Sequence, residues 1–247
     1  MPELKNLESL PEEVRETFRP FLNKMFSLHQ DNIQSVYIYG SATGSNFIPE
    51  VSDINSIFIF HQLNFNVFKK SLRIISEGVK RRISAPLFMT HSEIESSLDI
   101  FPIEFLEMQE NHILIFGEDM LSNLQIEGKH IRLFCEQQIK GKLIRIHQAY
   151  LQMGAQPERI KFLFKDSLNS LIPIFRNLIR LKGLTPSLQK LEILNQICQQ
   201  FHLDHEVFLS TYRVATQQKK LTNKESETLL EKYFEEMRKL SAAVDRL

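Results

Sequence analysis

The sequence predicts an α+β protein, with a mixed sheet and helices in residues 1–125 and an α-helical bundle in residues 126–247. Three observations predict it. Short β-branched and aromatic runs bounded by turn residues, such as IQSVYIY at 33–39 and INSIFIF at 54–60, fall before residue 125. Apolar residues at helical spacing are interleaved with these runs. Beyond residue 125 strand signals fade, and long helical periodicities take over, broken at Pro157, at 183–186 and near Leu203-Asp204.

The elements follow in order. Ser9 and Glu12 fit a capping box, and Val14, Phe18, Phe21, Leu22, Met25 and Phe26 then recur at helical spacing, so residues 10–30 read as an amphipathic helix. A strand over 33–39 stops at Gly40, and 40–52 holds Gly, Ser, Asn and Pro, a loop composition. A second strand covers 54–60. Residues 65–83 read as a helix whose apolar positions are Val67, Phe68, Leu72, Ile75 and Val79. Residues 86–89 form a short strand, and Thr90 with Glu93 makes a second capping box. Residues 100–108 and 112–116 are further strands, and Pro102 starts the first of them at an edge or after a bulge. Helices are expected over 127–153, 158–182, 186–201, 204–219 and 222–246.

Composition bounds the function. The 247 residues suffice for one large domain or two modest ones, and 43% hydrophobic content can fill a core. With 19 Phe and no Trp, that core is built on Phe, Leu and Ile. Lys+Arg and Asp+Glu both number 30, so global charge argues for neither nucleic acid nor a membrane as partner. No apolar run reaches the roughly 18 residues of a membrane span. The start MPELKNLESLPEEV lacks a signal-peptide core, so a soluble cytoplasmic protein is expected. Cys135 and Cys198 are too far apart to suggest a metal site or a disulfide framework. His202 and His205 lack a third ligand for zinc.

The pattern that could carry chemistry is Gly40-Ser41 at a strand end, followed twelve positions after Ser41 by Asp53-Ile54-Asn55 at the start of the next strand. Positions 53 and 55 share a strand face, because side chains alternate. Gly40 permits close backbone approach, and amides with the Ser41 hydroxyl can donate to phosphate oxygens. Glu104, on the strand expected over 100–108, is the best candidate for a further carboxylate. Taken singly these residues have plain readings too: a turn, a loop cap and a surface acid.

Together, SVYIYGSATGSNFIPEVSDINSIFIF at 35–60 and FPIEFLEMQENHILIFGED downstream resemble the signature of the nucleotidyltransferase superfamily, which contains DNA polymerase beta and kanamycin nucleotidyltransferase. The resemblance implies magnesium-dependent transfer of a nucleoside monophosphate, AMP in the first instance, from a nucleoside triphosphate such as ATP to a hydroxyl of a small molecule or protein. Two magnesium ions about 3.5–4 Å apart would serve the in-line displacement. By the same resemblance Asp53 binds both metals, Asn55 stands where a second acid would, and Glu104 binds the catalytic metal and takes the acceptor's proton. Gly40 and Ser41 hold the triphosphate. The resemblance also favours a homodimer, while the balanced charge and the lack of a long apolar run, not the resemblance, speak for no membrane and against nucleic acid as partner.

Asn55 departs from that pattern. It offers a neutral amide oxygen, so the cluster drops from three negative charges to two. Asp99 and Glu50 lie nearby in sequence without being convincing replacements. The alternative is therefore a non-catalytic module of the same fold that binds a nucleotide or a partner protein for regulation. A helical scaffold with an incidental N-terminal fold is a third reading. Lys80-Arg81-Arg82 and Lys219-Lys220 read as solvated helix ends, and Arg132, Lys140, Lys142 and Arg145 as a helix face toward solvent or a cleft. No Arg is followed by His after four to six residues, which argues against a HEPN-type ribonuclease in the helical region.

Overall fold

In the computed structural model, which describes residues 3–44, 47–49, 51–154 and 156–247, the chain divides into two compact units, Met1–Ile126 and Glu127–Leu247. The first contains α1 (Glu12–His29), β1 (Ile33–Tyr39), β2 (Asn55–Phe60), α2 (Phe65–Val79), β3 (Leu87–Thr90), α3 (His91–Glu95), α4 (Pro102–Glu110) and β4 (His112–Phe116). Among the described residues its strands form one sheet in the order β3-β2-β1-β4. β1 runs antiparallel to both β2 and β4, and β3 is parallel to β2, so the sheet is mixed as expected.

The central strands β1 and β2 are buried on both faces, which is why they read as nearly continuous apolar runs. Val36, Ile38, Phe58 and Phe60 face Phe18, Leu22, Met25 and Phe26 of α1. The rings Phe21–Phe58 and Phe26–Phe116 meet edge to face there, with centroids 6.3 and 4.8 Å apart. Tyr37, Ile57 and Ile59 face Ile94, Phe105, Met108 and Leu121 on the other side. The outer border of β4 is covered by the N-terminal segment. Lys5 N–H donates to Ile115 O (2.7 Å), Asn6 Nδ2 to Leu114 O (3.2 Å) and Lys5 Nζ to Gly117 O (2.7 Å). β3 forms the opposite border. After β4 the chain turns at Gly117, in the left-handed region with φ +84°. Ser35 Oγ (2.9 Å) and the Tyr37 hydroxyl (2.6 Å) both donate to Glu118 O, fastening this turn to β1.

Three local expectations are corrected. Residues 100–108 are not a strand: Pro102 opens the helix α4, where its fixed φ and missing N–H suit the first turn. Pro102, Ile103, Phe105 and Met108 turn inward, while Glu104 is exposed. Ser9 does not cap α1, since its hydroxyl donates to Asn6 O (2.6 Å) within a 3₁₀ turn. The Thr90–Glu93 capping box does form. The third correction concerns α2, which ends at Val79 rather than at residue 83; its buried residues are Val67, Ser71 and Gly78. A Cβ on Gly78 would lie 2.9 Å from the Phe21 ring, so the small residue lets α1 approach. Ser71 Oγ donates to Val67 O (2.8 Å) and bonds the buried His29 Nε2 (2.9 Å). Phe68, Leu72 and Val79 remain outside.

The second unit is the expected helical bundle: α5 (Gly128–Met153), α6 (Pro157–Leu181), α7 (Lys190–Phe201), α8 (His205–Ala215) and α9 (Asn223–Val244). α6 packs against the other four and buries Leu171, Phe175 and Leu178 completely. The Tyr233 ring meets Phe164 and Phe208 edge on, and its hydroxyl bonds Ser167 Oγ at 2.8 Å. Asp204 caps α8, and Thr222 with Glu225 forms a capping box on α9. Cys135 and Cys198 are free and buried, and burial pushes both thiols up to about 12. Among the described residues no helix is long and apolar enough to cross a membrane.

Candidate functional site

The motif residues gather at one end of the sheet. β1 delivers the chain to Gly40, whose φ of +76° turns it into a 3₁₀ helix, Gly40–Thr43. Thr43 Oγ1 closes this turn on Gly40 O at 2.8 Å. Gly40 N–H donates to Asn111 O (3.0 Å), tying the turn to the start of β4. In the β1–β2 register Tyr39 lies opposite Asn55. A Cβ added to Gly40 would sit 3.7 Å from Asn55 Nδ2, so the glycine and the asparagine are neighbours. Ser41 is half-buried in the turn. Tyr39 is half-buried on the same sheet face as Asn55, and burial raises its phenol above the ordinary value.

Asp53 stands just before β2, exposed, with Oδ1 3.5 Å from Arg82 Nη1. The pair is held by backbone on both sides. Ile54 N–H donates to Arg82 O (2.8 Å), Ser84 N–H donates to Ile54 O (3.0 Å), and Ile54 and Ile83 form a parallel bridge. Arg82 Nη1 also donates to Val51 O (3.0 Å). Sequence reasoning missed Arg82, reading it as a solvated helix end. The available signal was the β2-helix-β3 order, since a parallel partner must return beside β2 and brings the end of its connection with it.

Glu104 lies in the first turn of α4, exposed, on a helix rather than a strand of the sheet. A strand over 100–108 would have set Glu104 in the sheet that carries Asp53; the helix α4 does not. Glu50 lies outside the described residues, and Asp99 falls in the turn before α4. Near the same sheet end, His112 Nδ1 contacts Met108 O at 2.8 Å and Nε2 contacts the Asp119 carboxylate at 3.2 Å. Burial would raise the Asp119 pKa, but hydrogen bonds from Ser122 and His112 outweigh it and hold the carboxyl below its ordinary value.

This donor set does not fit a two-magnesium centre. The motif offers one carboxylate, already beside a guanidinium, and one neutral amide. Among the described residues no three His, Cys, Asp or Glu side chains group to hold a metal ion. In the helical unit Arg132 and Lys140 both pair with Glu136, and Lys142 pairs with Asp166 at 3.1 Å. These cations brace helices of the bundle.

No family model matches the chain, and no curated protein matches it. Among solved structures it is similar to spectinomycin adenyltransferase AAD(9) from Enterococcus faecialis, crystallised with ATP and spectinomycin. The match has 12% sequence identity and a TM-score of 0.48, and covers 92% of this chain and 98% of that one.

Proposed function

We propose that the N-terminal unit is a nucleotidyltransferase-like domain that binds a nucleoside triphosphate, ATP first among them, at the Gly40 end of its sheet. Its role is regulatory binding rather than two-metal transfer. One observation carries the reading: the single acid of the motif, Asp53, is paired with Arg82 beside a neutral Asn55. A two-metal centre concentrates negative charge, and this pairing dilutes it. The same residues suit phosphate. Gly40 admits close backbone approach, Ser41 supplies a hydroxyl, and the exposed Arg82 guanidinium can exchange Asp53 for phosphate oxygens. The resemblance of residues 35–60 to the superfamily signature supports the choice of ligand.

The test is calorimetry of the full chain with ATP, with and without magnesium, beside a pyrophosphate-release assay with hydroxyl acceptors. Native protein and the Asn55→Asp variant are compared. The expected result is ATP binding by the native protein without turnover, and stronger magnesium dependence of binding in Asn55→Asp. Pyrophosphate release by the native protein would establish the transferase reading instead, with Asp53 and Asn55 as metal ligands and Glu104 as the outstanding carboxylate. Failure of both forms to bind any nucleotide would remove the nucleotide altogether.

A further inference from the structure

The helices α6, α7 and α8 enclose a cavity of about 330 Å³ that the nucleotide reading does not use. Leu168, Ile172, Leu194 and Ala215, all buried, give it an apolar floor. Its rim is cationic. Lys165 of α6 and Lys190 of α7 stand on it, and among the described residues no Asp or Glu does. Lys190 Nζ donates to Asn169 Oδ1 (3.0 Å), so the amide fixes that ammonium group at the rim. Lys165 pairs with no carboxylate among the described residues.

Two rim residues occupy positions that their local backbone disfavours. Lys190 is the first residue of α7, at the positive end of the helix dipole, and α7 starts without a side-chain cap. Gln217 lies at φ +64° just beyond α8. Its N–H donates to Val214 O (3.1 Å), and Gln218 N–H donates to Arg213 O (2.8 Å). These are the two bonds of a Schellman turn, whose left-handed residue is ordinarily Gly. Local structure alone would select neither side chain, and both line the same cavity. Half-buried Tyr212 lines it too, and its hydroxyl bonds nothing among the described residues.

We infer that this cavity binds a small organic anion, a carboxylate or a phosphate monoester on an apolar body. The body rests on the floor between Leu168 and Leu194. The two ammonium groups, the Tyr212 hydroxyl and the Gln217 amide donate to the charged head. The volume is at the lower end of the about 300–1,000 Å³ of ligand pockets, which suits a compact molecule and not a nucleoside triphosphate. The cavity lies wholly in the helical unit and is independent of any nucleotide bound by the first unit.

Calorimetry of the full chain with phenyl phosphate, benzoate and benzylamine tests the inference. The anions should bind saturably, and the tighter of the two identifies the head as phosphate or carboxylate. Benzylamine, of opposite charge, should not bind. Lys165→Met combined with Lys190→Met should weaken anion binding at least about tenfold, the loss of charged hydrogen bonds. Its circular dichroism and melting should stay native, because both side chains are exposed. Gln217→Gly relieves the left-handed position, so this variant should melt a few degrees higher yet bind the anions more weakly. Unchanged binding there would overturn the place of Gln217 in the site. Binding of neither anion by the native chain, or anion binding indifferent to the double lysine variant, would overturn the proposal. So would loss of ATP binding in that variant, which would assign these lysines to the nucleotide.

Discussion

Alanine at Gly117 meets two penalties at once. The residue has φ +84°, where a Cβ costs about 1–2 kcal/mol. The added methyl would also lie 2.1 Å from Gln34 O, 2.6 Å from Ser35 Oγ and 2.9 Å from Ser35 Cα. Two of these atoms are backbone of the central strand, so the strand itself must give, a distortion of about 1–3 kcal/mol. The expected loss is about 2–5 kcal/mol, a large share of the roughly 5–15 kcal/mol that holds a domain together. Gly40→Ala is the matched control in the same unit. Its φ is +76°, but its nearest new neighbour, Asn55 Nδ2, is at an ordinary 3.7 Å. It should lose only the conformational part, about 1–2 kcal/mol. Urea unfolding of both variants, with amide exchange of β1 as the local readout, measures the difference. Equal midpoints for the two, or a Gly117→Ala protein as stable as the native one, would refute the assignment of a steric role to this turn.

Two further outcomes are expected. Burial, with a smaller contribution from Lys70, lowers the His29 pKa below its ordinary 6.5. Between the folded value and 6.5 the unfolded chain binds more protons, so stability is full above 6.5 and declines as pH falls toward the folded pKa. Melting temperatures across that range should show a decline that His29→Gln flattens. In the bundle, Tyr233→Phe strips the buried Ser167 hydroxyl of its partner and should cost about 1–3 kcal/mol. Adding Ser167→Ala should recover part of that loss in a double-mutant cycle by calorimetry.

Strands β1 and β2 were legible because burial on two faces leaves a nearly continuous apolar run with turn residues at its ends, and β4 because the short run HILIF lies between Asn111 and Gly117. The Thr90–Glu93 cap was legible because its partners are local. Residues 100–108 misled because Phe101, Ile103 and Phe105 alternate as in a strand, while the helical partner Met108 comes only at the end. For α2, the apolar positions alone do not mark the buried face. Close packing against Phe21 needs Gly78, and the bond to His29 needs Ser71, so small residues mark the buried side. At the site, Gly40 and Asn55 were expected together and are neighbours. The Asp53–Arg82 pair was not foreseen, because it depends on where the connection after α2 returns, a tertiary matter with no local signature.

Lys5 and Asn6 give the sheet a closed border at β4 and leave the β3 border as its terminus. A sheet that, among the described residues, pairs no strand on the far side of β3 can join a single neighbour there and then stop. A chain cut behind Asn6 would have two such borders, and could add neighbours from both sides without end, the geometry of a fibre. Lys5 and Asn6 thus act as a brake on polymerisation, and cleavage behind Asn6 should raise the tendency to aggregate.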